Sequence, residues 1–192
     1  EREGLAQGPH RAARARELLC AMTVDAGIDL LSMGGTKNGL VGAEGLLLFV
    51  PSGPARTMLD HTMQRAGERL PFVHKGFMQL GSKMRYLACQ MHRLHKTELW
   101  LDNALNARCM ALRLARGLEG IPGVSVLGPV EANAVFVKVP AAIIGPLQDF
   151  AYFYVWDEAV PSIRLMCGWD TQSGDVDALA SKVAELAGGL QP

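Results

Sequence analysis

Beyond Gly120 no hydrophobic period lasts long, and the short alternation that results limits the folds open to this chain. Residues 124–127, 134–139, 152–156 and 163–167 read as strands, while 141–150 and 174–187 carry apolar residues at helical spacing. Strands this short, interleaved with so few helices, predict a small α+β domain. Ahead of it, residues 82–95 and 98–118 place apolar side chains three and four apart, which predicts two helices, the second long enough to lead from one domain into the next.

The first part of the chain reads differently. Residues 11–22 carry several arginines with Leu18, Leu19 and Met22 on a helical period, so a helix with one buried stripe is expected. Ala26-Gly27 breaks the pattern. Ile28-Asp29-Leu30-Leu31-Ser32-Met33 then reads as a short, largely buried strand opening into Gly34-Gly35-Thr36-Lys37-Asn38-Gly39, and residues 45–50 as a second strand. The connection is too short for a crossover helix, so the two strands are expected as antiparallel neighbours or close together in one sheet. Pro51-Ser52-Gly53-Pro54 reads as a turn, 55–67 as a helix, and the stretch to Gly81 as irregular.

Composition narrows the class of partner. At 192 residues and 49% hydrophobic content the chain can fill a real core, which excludes disorder. Nineteen Lys plus Arg balance nineteen Asp plus Glu, so the basic field of a nucleic-acid binder is absent and a small-molecule partner is expected. No apolar run approaches the roughly 20 residues that span a bilayer, and Glu1-Arg2-Glu3 is not a signal peptide, so a soluble protein is expected, with no membrane or nucleic-acid partner. Cys20, Cys89, Cys109 and Cys167 form no C-x-x-C pair and sit in apolar patterns, as expected of reduced, buried thiols in the cytoplasm.

Lys37 is the most informative single residue. It lies at the exit of a strand among Gly34, Gly35 and Gly39, whose missing side chains let a ligand approach the backbone. A lysine partly desolvated there favours the neutral amine that a Schiff base needs. The same segment also reads as a hairpin loop with a solvated lysine at its tip; a phosphate-binding P-loop is not matched, because Asn38 follows Lys37. Arg164 lies in the apolar run Ile163-Arg164-Leu165-Met166-Cys167, where it must pair with an anion or reach the surface. Its planar fork suits the carboxylate of an amino acid, and an internal salt bridge is the alternative. His92 and His95 share a helix face without further ligands at metal spacing, so no metal site is expected. Ser82-Lys83-Met84-Arg85 opens a helix, as a cap with solvated cations or as a phosphate contact, and the methionines follow helical periods as core residues.

The segment from Ile28 to Leu40 resembles the cofactor-lysine segment of low-specificity threonine aldolases, pyridoxal-phosphate enzymes of fold type I. The resemblance continues in family order through Gln79-Leu80-Gly81-Ser82-Lys83-Met84-Arg85-Tyr86, Leu99-Trp100-Leu101-Asp102-Asn103-Ala104, Pro129-Val130-Glu131-Ala132-Asn133-Ala134, and Ile163-Arg164-Leu165-Met166-Cys167-Gly168-Trp169-Asp170-Thr171. It implies an α/β fold of the pyridoxal-phosphate transferase type. Residues 1–97 would be the remaining part of a large domain, and 98–192 a carboxyl-terminal α+β small domain with its linking helix. It also implies pyridoxal 5′-phosphate held by Lys37 as a Schiff base with Thr36 beside it, a substrate carboxylate on Arg164, and a homodimer or homotetramer with sites between subunits.

Family members are nearly twice as long, and the half without a counterpart here carries the phosphate-binding loop and the ring that stacks on the cofactor. The family's aspartate for the pyridine nitrogen falls near Glu1-Arg2-Glu3-Gly4-Leu5-Ala6, where Glu3 is the nearest carboxylate and no cofactor role is carried onto it. Two functions follow. One is a lyase that breaks the Cα–Cβ bond of L-threonine or related β-hydroxy-α-amino acids to give glycine and an aldehyde, β-elimination being a related outcome. The other is a truncated, non-catalytic remnant acting only as an oligomerising chain.

Overall fold

A computed structural model describes residues 11–50, 54 and 57–190, so Glu3 and most of the expected turn at 51–54 lie outside the described residues. The chain divides into two compact units, Glu1–Trp100 and Leu101–Pro192.

In the first unit, α1 (Arg11–Met22) forms where the arginine-rich period predicts a helix, yet it buries none of its residues. Leu18, Leu19 and Met22 all stay exposed, which corrects the expected buried stripe: no described residue covers that side of the helix. The strands β1 (Leu30–Gly34) and β2 (Glu44–Leu48) pair antiparallel, from Leu30 opposite Leu48 to Gly34 opposite Glu44. Burial along β1 alternates between exposed and intermediate, so the strand is half-covered rather than largely buried. Among the described residues this two-stranded ribbon has no flanking strands to shield its edges.

α2 (Met58–Gly76) opens on a reciprocal cap in which the Thr57 hydroxyl accepts from the Asp60 N–H and the Asp60 carboxylate accepts from the Thr57 N–H, each at 3.0 Å. The helix runs past Gly67 and through Pro71, correcting the irregular stretch expected there. Pro71 removes one helical hydrogen bond without ending the ladder, and Phe77 N–H still reaches Val73 O at 2.9 Å. Residues 71–80 are exposed throughout, so no buried face imposes a period that a sequence reading could detect. A Cβ at Gly67 would stand 3.0 Å from Val50 Cγ2, so that glycine lets α2 lie close to the end of the hairpin. α3 (Met84–Lys96) buries Leu94, and α4 (Leu99–Gly117) leads out of the unit.

The second unit holds the core. Ala107, Ala111, Leu114 and Ala115 form the buried stripe of α4, continued by Leu118. β3 (Ser125–Val126), β4 (Ala134–Lys138), α5 (Ala141–Phe150), β5 (Tyr154–Asp157), β6 (Ser162–Met166) and α6 (Ser173–Gly188) follow. The strands form one antiparallel sheet in the order β3-β4-β6-β5. Alternation puts Val135, Val137 and Val139 of the β4 segment and Ile163, Leu165 and Cys167 of the β6 segment into the core with Leu114, Leu118, Ile143, Leu147 and Val183. A Cβ at Gly117 would stand 3.0 Å from the Ala180 Cβ, so small residues set how closely α4 and α6 approach. The same helices are joined at the surface by Arg113, whose fork donates to both Asp177 carboxylate oxygens at 2.7 Å and holds that carboxyl below its ordinary value.

Among the four free cysteines only Cys167 is buried, and Cys89 is exposed, which corrects the expected set of four buried thiols. Cys89 lies off the inward stripe of α3, which ends on Leu94. Burial pushes the Cys167 thiol up to about 11 from an ordinary 9.0. Between those values the unfolded chain has released the proton and the folded chain still holds it, so stability falls as pH rises from 9 toward 11 and is unaffected below. Denaturant unfolding should lose roughly 1–3 kcal/mol across that window, and Cys167→Ala should reduce the slope.

Candidate functional site

The first set of functional side chains is built by one tight connection. Between β1 and β2 the chain makes a single 3-10 turn, Thr36–Asn38, closed by Asn38 N–H and Leu40 N–H on Gly35 O at 2.9 and 3.1 Å. Gly35 N–H bonds Ala43 O at 2.9 Å, and a Cβ on Gly35 would crowd Leu40 and stand 3.0 Å from that carbonyl. Gly39 leaves the turn at φ 94°, a left-handed conformation that glycine adopts without strain. The glycines therefore shape the turn that projects Lys37 outward.

Lys37 is exposed, which corrects the expectation of a partly desolvated amine: the turn points it away from the packed side of the hairpin, where Gly35 is buried. It makes no ion pair among the described residues. Thr36 lies beside it, its hydroxyl donating to Glu44 Oε1 at 3.2 Å. Two longer tethers hold the loop, from Asn38 Nδ2 to Trp100 O at 3.4 Å and from Val41 N–H to Gln90 Oε1 at 3.1 Å. Neither tether is marked in the sequence by anything beyond a polar residue.

Arg164 stands in the other unit, at the middle of β6. Its neighbours Ile163 and Leu165 face the core, so alternation turns Arg164 to the opposite sheet face. There it sits in register between Phe136 on β4 and Tyr154 on β5. No carboxylate pairs with it among the described residues, so the internal salt bridge expected as one reading of this residue is not formed there. Aromatic faces surround it instead: the guanidinium carbon is 5.2 Å from the Tyr154 ring centre and 5.6 Å from that of Trp156. These rings were legible in the sequence as strand residues but not as partners of Arg164, because the pairing depends on register. A cavity of about 340 Å³ in this unit, lined by Leu114, Leu165, Cys167 and Asp175 among others, includes neither Lys37 nor Arg164. The Asp175 carboxylate is already engaged, accepting from the Gln172 N–H at 3.0 Å.

No group of three or more His, Cys, Asp or Glu among the described residues is placed to hold a metal. No described helix is long and apolar enough to cross a membrane. The start of α3 differs from a capped anion site: Lys83 takes the cap position at φ 61° with no side-chain cap bond.

The fold defines the class first. It is in part the fold of a threonine aldolase from Leishmania major, which superimposes with a TM-score of 0.67 at 21% identity, over 85% of this chain and 45% of that one. The particular likeness is to low-specificity L-threonine aldolases. That of a Pseudomonas species is 33% identical over 162 residues, and that of Pseudomonas aeruginosa 33% over 163, covering 84% and 85% of this chain and 43% of each relative. The chain thus resembles a carboxyl-terminal portion of these proteins and spans less than half their length. No family model matches it.

Proposed function

We propose that this chain is part of a pyridoxal-phosphate lyase that cleaves L-threonine or related β-hydroxy-α-amino acids to glycine and an aldehyde. The observation that carries this reading is the 33% identity to low-specificity L-threonine aldolases over 84% of the chain. The local chemistry fits the cofactor's aldehyde: Lys37 offers an exposed primary amine without an ion pair among the described residues, on a turn with little side-chain bulk. Lys37 would hold the cofactor with Thr36 beside it. When bound, that group supplies the sink for the electron pair left by Cα–Cβ cleavage. Arg164 receives the substrate carboxylate through two parallel hydrogen bonds and so fixes which bond of Cα is presented.

Arg164→Lys keeps the charge and loses the fork. Substrate affinity should fall about tenfold, the loss of one charge-assisted bond of ~1.5 kcal/mol, while the cofactor absorbance of the loaded chain stays unchanged. Loss of both together would assign Arg164 a structural part instead. A chain that takes up no pyridoxal phosphate at saturation, read by absorbance, would overturn the lyase reading.

We also propose a homodimer or homotetramer, in the cytoplasm. Phe72, Phe77 and Met78 are 74% to 90% exposed along and just beyond α2, more apolar surface than a solitary chain usually leaves uncovered. Light scattering at micromolar concentration should report twice or four times the chain mass; a monodisperse monomer would refute the assembly. The second reading is a non-catalytic oligomerising chain, for which the same exposed surface would be the contact. Self-association without cofactor uptake would select it.

A further inference from the structure

Arg164 is held in an unusual way for a strand residue. Its Nε is buried and has no hydrogen-bond partner among the described residues, and no carboxylate neutralises it there. A guanidinium left like this would ordinarily swing to solvent, since arginine carries about 2 kcal/mol of rotamer entropy. What confines it is aromatic. Tyr154 and Trp156 lie at 5.2 and 5.6 Å from the guanidinium carbon, within the roughly 6 Å at which a ring face attracts a cation. The rings are themselves braced: Phe136 meets Trp156 edge to face at 4.8 Å, and Tyr152 meets Tyr154 at 5.4 Å and 76°. All of this lies on one sheet face, set by the register that places Phe136 and Tyr154 opposite Arg164.

We propose that Tyr154 and Trp156 are positioning residues for Arg164, their ring faces presetting the guanidinium fork so that it meets a carboxylate already ordered. This rests on the reading of Arg164 as the carboxylate receptor. An arginine anchored by an internal aspartate would be preset as well, but its charge would be spent. Ring faces order the side chain without spending its terminal donors on an internal anion, which is what a receptor for an amino-acid carboxylate requires. The specificity consequence is a preference for ligands whose carboxylate can lie coplanar with the preset guanidinium.

The test uses the full chain and its arginine Nε–H resonance in proton–nitrogen spectra, assigned by its loss in Arg164→Lys. The line should lie upfield of free arginine, shifted by ring currents, and exchange slowly with water. Trp156→Leu keeps apolar bulk without a ring face, and Tyr154→Leu does the same on the other side. Each should return the line toward the free position and weaken glycine binding roughly two- to tenfold, whereas Trp156→Phe should preserve both. Both side chains are more than half exposed, so thermal midpoints should change little. An Arg164 line unmoved by either leucine variant overturns the proposal whether or not glycine binds. A ring-shifted line that both leucine variants relax, with no response to glycine in the native chain, overturns Arg164 as receptor while leaving the ring clamp standing.

Discussion

Lys37→Ala should abolish any borohydride-reducible link to pyridoxal phosphate and reduce retro-aldol turnover to background, the largest functional effect expected of a single change in this chain. A Schiff base needs a primary amine, and alanine offers none. Folding should be nearly untouched, because Lys37 is exposed and makes no ion pair among the described residues. The turn is held by backbone bonds on Gly35 O and by the tethers from Asn38 and Val41, none of which involves the lysine side chain. Mass spectrometry after reduction checks the claim. A pyridoxyl adduct on the peptide that contains Gly34 and Gly39 is expected in the native chain and absent in the variant. An adduct on Lys75, Lys83 or Lys96 instead would mean that another lysine carries the cofactor.

The largest structural effect should come from Leu147→Ala. Leu147 is 0% exposed on α5 within the cluster that includes Leu114, Val137 and Ile163. Truncation removes transfer energy and leaves a void that surrounding β-branched residues fill poorly, a loss of about 2–5 kcal/mol. For a unit of this size each kcal/mol is worth roughly 4–8 °C, so the thermal transition of Leu101–Pro192 should drop by roughly 8–40 °C. Leu46→Ala on β2, at an exposed position, is the comparison and should move stability by no more than about 0.5 kcal/mol. Equal effects of the two changes would show that the core described for the second unit is not what holds it together.

The second unit was the more legible of the two in the sequence, and the reason is its burial. Apart from β5, every strand and helix after Gly120 packs one side on a common core, so Val135, Val137 and Val139, or Val176, Ala180, Val183 and Ala187, print their period directly into the chain. In the first unit that signal weakens. α2 from Pro71 onward has no buried residue, so nothing in the pattern distinguishes it from loop, and its continuation depends on backbone bonds that any residue can make. The candidate residues divide in the same way. Lys37 announced itself through local chemistry, a lysine among glycines, whereas Tyr154 and Trp156 meet Arg164 across a strand register that no local window contains.

The lysine turn is shaped locally but tethered by residues synthesised well after it. Gln90 lies 49 positions beyond Val41, and Trp100 lies 62 beyond Asn38, yet both supply the hydrogen bonds that tether the connection between β1 and β2. On a translating ribosome the hairpin emerges first and waits on the order of seconds before its anchors exist. During that interval Lys37 sits on an untethered loop, and nascent chains halted short of Trp100 would lack the Asn38 tether. The order of synthesis thus leaves Asn38 and Gln90 to close the connection only once residues up to Trp100 have emerged.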